Sequence, residues 1–252
     1  MLQRKWAKHW SEESVKAGLF LCATVSVLTT FAIVWILIRE AGVFFQDVAV
    51  SDFLFGTQWT PLLEPRSFGV LPLVCGTFLI VAGTGLIALP AGLATSIYLS
   101  EYASSQTRSI LKPVLEVLAG IPTVVYGYFA LTFVTPLLRA VFPEVQIFNA
   151  ASASIVVGIM VLPMVASLCD DTLRAVPASL RQGAYAVGAT PVEVTLGVVI
   201  PSSLSGIMAA FVLALSRAIG ETMAVTLAAG ATPKMTMDSF VGIQTMTAYI
   251  VQ

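Results

Sequence analysis

Val145–Cys169 reads VQIFNAASASIVVGIMVLPMVASLC, 25 residues without a charge between Glu144 and Asp170. A helix needs about 20 apolar residues to cross a bilayer, and a strand needs far fewer. No alternation of period two runs through the segment, so it reads as a membrane-spanning helix. The same count works outward along the chain. Lys16 to Arg39 encloses 22 uncharged residues, Arg66 to Glu101 encloses 34, Glu116 to Arg139 encloses 22, and Glu193 to Arg217 encloses 23. Five spans are therefore expected, near 17–38, 69–98, 115–138, 150–169 and 204–229. The fold class is all-α, a polytopic integral membrane protein.

Composition agrees. Of 252 residues, 57% are hydrophobic and 11% are charged, against about 25% charged in an average soluble domain. Mean hydropathy is +0.90. A soluble globule of this size cannot hide so much apolar surface, and disorder is excluded for the same reason. The net charge of −1 leaves no basic excess for nucleic acid. The first span is too long for a signal peptide and lacks a small-residue cleavage site before Arg39-Glu40, so it reads as an uncleaved anchor. Cys22, Cys75 and Cys169 are too scattered for a disulfide or zinc framework and read as small core hydrophobes. His9 has no neighbouring ligand set. No metal and no cofactor is expected.

With the N-terminus inside, Arg4, Lys5, Lys8, Lys16, Arg108, Lys112, Arg174 and Arg181 fall on the cytoplasmic side. Arg39, Arg66, Arg139 and Lys234 fall outside. The excess of basic residues inside favours that orientation. The expected organisation is a cytoplasmic segment 1–16, a first span 17–38, an extracytoplasmic loop 39–67 with Phe44, Phe45 and Trp59, and a core 68–252. Residues 239–252 are too few to span, and a truncated C-terminus is expected.

Small residues recur every four positions at Thr84, Ala88, Gly92 and Ser96, and again at Gly206, Ala210, Ala214, Ala218 and Thr222. Each set forms one helix face that admits a close neighbour, with packing inside the chain as the default. Pro90 and Pro122 are expected to kink their spans.

The segment 170–203 is expected to face the cytoplasm as a helical elbow. A first helix should end at Gly188, which is free to take positive φ. Thr190-Pro191-Val192-Glu193 reads as a capping box with proline at the first helical position, which starts a second helix. Pro201 should interrupt that helix before the fifth span. Asp170-Asp171 reads as a helix-end anchor rather than a catalytic dyad.

Gln182-Gly183-Ala184, then Gly188, then Val198-Val199-Ile200-Pro201 resemble the EAA loop of ABC importer permeases, with matching spacing. Gln182 stands where that pattern has glutamate, so the charge is missing. Three further stretches resemble the permeases of the phosphate-specific importer, with the C type (PstC) favoured. They are Tyr98-Leu99-Ser100-Glu101-Tyr102-Ala103, Leu118 to Gly127, and Arg217-Ala218-Ile219-Gly220-Glu221-Thr222. The resemblance covers about residues 68–252 and implies the type I ABC importer permease fold. It also implies a multi-pass subunit of the cell inner membrane that moves inorganic phosphate. The implied partners are a second homologous permease, two copies of an ATP-binding subunit and an extracytoplasmic phosphate-binding protein. Gln182, Gly183, Ala184, Gly188 and Pro201 would then form the loop that couples to the ATPase. That family carries a sixth span, which this sequence does not show.

No Gly-Lys dipeptide exists to cradle a nucleotide phosphate, and neither HExxH nor Cys-x-x-Cys occurs. The chain reads as a transport subunit without its own ATPase site. A permease for molybdate or sulfate is the nearest alternative. A membrane enzyme using Glu116 or Glu221 is a more distant one, and a secondary transporter is disfavoured by the elbow. Arg217 and Glu221 are expected inside the fifth span, four apart and paired. There the guanidinium would offer a planar fork to a desolvated oxyanion.

Overall fold

The computed structural model describes residues 12–252 in full, and His9 lies outside them. Among the described residues, five helical stretches are long and apolar enough to cross a membrane: Glu12–Asp47, Leu71–Tyr102, Thr123–Val141, Ala150–Arg174 and Pro191–Ile219. The chain divides into a unit ending at Leu54 and a unit Phe55–Gln252.

The first unit holds α1 (Leu2–Asp47) and the start of α2 (Val50–Phe55). The helix runs on through Arg39-Glu40, past the expected end of the first span, because neither residue disfavours a helix. Phe20, Phe31, Trp35 and Ile38 are all exposed. A helix that is apolar on every face suits lipid contact. Cys22 is exposed on it and is not the core residue expected. Thr24 and Thr30 donate their hydroxyls to the carbonyls of Phe20 and Ser26, so neither polar group stays unsatisfied. Phe44, Phe45 and Phe53 meet edge to face with centroids 5.2–5.8 Å apart and pack the end of α1 on α2.

The second unit opens with a two-residue hairpin, β1 (Trp59–Thr60) against β2 (Ser67–Phe68), with Trp59 opposite Phe68. Then come α3 (Leu71–Ile97), α4 (Ser105–Ala119), α5 (Thr123–Phe129), α6 (Thr135–Val141) and α7 (Ala150–Arg174). After them follow α8 (Ala178–Ala186), α9 (Pro191–Val194), α10 (Ile200–Ile219), α11 (Met223–Ala229) and α12 (Met246–Val251). Single π turns follow α3 at Tyr98–Tyr102, α5 at Ala130–Val134 and α9 at Thr195–Val199.

The core is α7 laid parallel along α3. Thr84, Ala88 and Ser96 are buried. A Cβ on Gly83 would meet Ser154, one on Gly92 would lie 2.6 Å from Val165, and one on Gly158 would press on Ile87. On α10, Ala210, Ala214 and Ala218 are buried, and Gly206 faces Thr172 of α7. Both small-residue faces therefore pack within the chain, the second only as far as Ala218 because Thr222 lies past the end of α10, and close backbone approach replaces the missing hydrophobic drive.

Two expected spans shift. The third begins at Thr123, not near 115. Gly120 ends α4, and Pro122 biases Ile121 away from the helical region, so α4 is a separate helix with no buried residue. Pro122 thus starts a helix instead of kinking one, while α3 continues through Pro90. The fifth runs Pro191–Ile219 and stops at Gly220, where residues to 229 were expected to continue it. Nor does Pro201 interrupt it. The π turn Thr195–Val199 shifts the hydrogen-bond register just before the proline, so its missing N–H and its ring are accommodated. The same device precedes Pro136, after the π turn Ala130–Val134.

Residues 230–245 are irregular yet tied down. The carbonyls of Val241 and Ser239 accept from Ala150 and Ala151, and that of Phe240 accepts from Gln146. These bonds satisfy the start of α7, which otherwise has unpaired N–H groups. Asn149 caps the same helix, its Oδ1 accepting from Ser152 at 2.7 Å.

Candidate functional site

The sequence Arg217-Ala218-Ile219-Gly220-Glu221-Thr222 folds as a helix end, a break and a new start. Arg217 sits in the last turn of α10. Glu221 lies in the break, 8% exposed. Its Oε1 accepts from Ala224 N–H at 3.1 Å and so caps α11, and its backbone carbonyl accepts from the Thr247 hydroxyl at 2.9 Å. The expected Arg217–Glu221 pair is not formed. Gly220 ends the helix between them, so they no longer share a continuous face, and the carboxylate is taken by an orphan N–H of the next helix. Among the described residues, no hydrogen bond or ion pair holds Arg217.

Arg217 instead lines a cavity of about 380 Å³ between α4, α7 and α10. Its charged lining is Arg217, Arg108, Lys112, Glu116 and Asp170, over an apolar wall that includes Met160, Pro163 and Leu168. Arg108, Lys112 and Glu116 also face an adjoining cleft that carries Ser105 and Arg174. These three follow one another four apart on α4, so helical spacing brings them to one face. Ser104 starts α4 by accepting from Thr107 N–H at 3.1 Å.

Asp170 is buried and meets Arg108 Nη2 at 2.6 Å and Arg174 Nε at 3.4 Å. It anchors α4 to α7, as expected of an anchor, and Asp171 beside it is exposed. Arg108 also donates to the Leu99 carbonyl at 3.3 Å. Arg108 and Lys112 entered the sequence reading only as topological charges. Their position on an amphipathic α4 was the available signal. The 62-residue separation of Arg108 and Asp170 hid their pairing.

The elbow forms as its sequence dictates. α8 ends at Ala186, Gly188 takes φ +89, and Thr190 and Glu193 complete the capping box. Gln182, Gly183 and Gly188 are exposed and Ala184 is half-buried. Val187 is 86% exposed, and Tyr185, Val192 and Leu196 stand out beside it. Pro201 lies farther on, at the start of α10. The structure thus separates the predicted residues: Arg217 lines the cavity, Glu221 lies in the break between α10 and α11, Gln182, Gly183, Ala184 and Gly188 stand in the elbow, and Pro201 starts α10. Glu101 and Arg181, which bond each other at 3.0 Å, were missed.

The family model for the binding-protein-dependent transport system inner membrane component matches residues 88–251. A probable ABC transporter permease protein, YqgH of Bacillus subtilis, is 32% identical over 91% of this chain and 75% of its own length. The phosphate transport system permease protein PstC of Mesorhizobium japonicum is 35% identical over 79% of this chain and 66% of its own. That of Haemophilus influenzae is 34% identical over 71% and 62%. The chain thus spans roughly two thirds of the PstC proteins it matches. In fold, it resembles the MetNI methionine ABC transporter solved in inward-facing conformations, with TM-score 0.50 and 20% identity, over 63% of this chain and 74% of that one. The helices long and apolar enough to cross a membrane and the matched residues agree, and the chain belongs to the family of binding-protein-dependent transport system inner membrane components.

Proposed function

We propose that this chain is one permease subunit of an ATP-driven importer of inorganic phosphate. It would sit in the inner membrane with its N-terminus inside, as the basic residues favour. A second homologous permease would pair with the core 68–252. The permease pair would sit on two ATP-binding subunits, one of them docked on this chain's elbow, and an extracytoplasmic phosphate-binding protein would deliver substrate.

The observation that carries the reading is the unpaired guanidinium of Arg217 in a cavity that also presents Arg108 and Lys112. Arg217 is exposed to the cavity at the last turn of α10, and an ionisable residue in a membrane helix that faces a cavity marks a substrate path. The planar fork matches a tetrahedral oxyanion that has shed water. Glu221 shapes the path by holding the break beside Arg217, its carboxylate tied to the start of α11. Gln182, Gly183, Ala184 and Gly188 form the docking elbow, and Pro201 lies inside the continuous helical stretch that follows it. The PstC names of the relatives support phosphate over another oxyanion.

The test is phosphate uptake measured beside membrane abundance of the complex. Arg217→Gln should assemble and lose uptake. Arg217→Lys should assemble and transport about 10–100-fold less, the equivalent of one charge-assisted hydrogen bond of roughly 1.5–3 kcal/mol. Normal uptake by Arg217→Gln would refute the assignment, and loss of assembly would make the residue structural.

A further inference from the structure

The π turn Tyr98–Tyr102 stands between the elbow and the cavity. On the elbow side, Arg181 Nη2 donates to Glu101 Oε1 at 3.0 Å and to the Leu173 carbonyl at 2.7 Å. Ser100 Oγ donates to the same Glu101 oxygen at 2.8 Å. Tyr102 meets Thr195 hydroxyl to hydroxyl at 3.5 Å, which touches the second half of the elbow. On the cavity side, Leu99 lines the wall and its carbonyl accepts from Arg108, which holds Asp170.

α8 buries none of its residues. Among the described residues, the only side-chain hydrogen bonds that leave α8 are those of Arg181. The pair itself is mostly shielded from water, with Arg181 at 23% and Glu101 at 11% side-chain exposure. Arg181 Nε is buried without an acceptor. A static pin would be expected to satisfy that donor. Left open, it gives the fork a second bond to make when α8 shifts. π turns also cluster at functional sites, where helical register can change locally.

We infer that the Arg181–Glu101 pair transmits movement of the elbow to the cavity. The inference rests on the reading of the elbow as the ATPase dock. Arg181 is a positioning residue. It touches no substrate, and it acts through Glu101, the π turn and Leu99 on Arg108 at the cavity wall. A displaced α8 would pull the end of α3 rather than slide past it. The coupling runs through contiguous bonded groups with a register-flexible element in the middle.

The experiment uses the whole complex in proteoliposomes, with phosphate uptake and ATP hydrolysis measured together. Arg181→Ala and Glu101→Ala should each assemble and hydrolyse ATP. Uptake per ATP should fall on the order of tenfold, within the roughly 5–150-fold range of ordinary coupling energies. The double variant should be no worse than either single, because both remove one contact. Arg181→Lys keeps the charge and should retain an intermediate ratio. Wild-type uptake per ATP in Arg181→Ala would overturn the inference. Additive losses in the double variant would overturn it as well. Loss of assembly in all variants, Lys included, would also overturn it by leaving the pair only a folding role. Failure of the unaltered complex to couple ATP to phosphate uptake would instead sink the importer reading.

Discussion

Gly188 offers a clean perturbation of the elbow, because its environment separates strain from crowding. An added Cβ there would meet nothing within 4 Å, yet the residue sits at φ +89. Any cost of Gly188→Val is therefore conformational. The left-handed region costs an L-residue about 1–2 kcal/mol, and a β-branched side chain belongs at the upper end. That lowers the population of the native elbow about 5–30-fold. The body of the protein should not notice, since α8 has no buried residue to drag with it. Gly183→Ala is the matched control. It too has open space around its Cβ, but its backbone carries no positive φ, so it should be neutral or slightly stabilising. Gly188→Asn, which tolerates the left-handed region better, should fall between. The assay is co-purification of the ATP-binding subunit with the tagged permease, followed by transport-stimulated ATP hydrolysis. Full recovery and full stimulation with Gly188→Val would refute the reasoning. So would an equal loss from Gly183→Ala, because strain could then not be the cause.

Other outcomes follow from the packing and the charges. Gly92→Val places its Cβ 2.6 Å from that of Val165 and should part α3 from α7, lowering stability by about 1–3 kcal/mol or more, read as a lower melting temperature in detergent. Asp170→Asn leaves Arg108 half-buried without its carboxylate and should cost up to about 3–5 kcal/mol in the same melt, whereas exposed Asp171→Asn should change little; equal shifts would contradict the anchor. Thr190→Ala removes the capping hydroxyl and should cost about 1 kcal/mol of elbow stability, seen as faster proteolysis at the exposed elbow, with an unchanged rate counting against it. In a cysteine-free background, an impermeant thiol reagent added to intact cells should label Thr57→Cys and spare Ser179→Cys; the reverse pattern would invert the proposed orientation.

Much of this protein was legible one residue at a time. Charge-free intervals located the spans because a bilayer sets one length scale and a helix one rise per residue. Gly188 and Thr190–Glu193 located the elbow because caps and positive φ are satisfied by neighbours in sequence. The stripes at Thr84–Ser96 and Gly206–Ala218 foretold faces of close approach, and both turned out to lie against α7. Errors came where a local signal was read without its context. Pro201 looked like a stop, but the preceding π turn absorbs it. Gly220 looked like one more small residue in a span, but it ends the helix and sends Glu221 to cap the next.

The sequence alone determined which stretches are long and apolar enough to cross a membrane, where the elbow turns and its second helix starts, and which kinds of residue stand in those stretches. Tertiary structure decided which charges meet. Arg108 finds Asp170 across 62 positions, and Arg181 finds Glu101 across 80. Arg217, expected to be paired, is left free in the cavity. The physical reason is one of range. Backbone hydrogen bonds and apolar burial are set within a few residues along the chain. A pair of charged side chains meets only after whole helices have been rotated and spaced, and here that rotation is set by the close packing of α3 and α10 on α7.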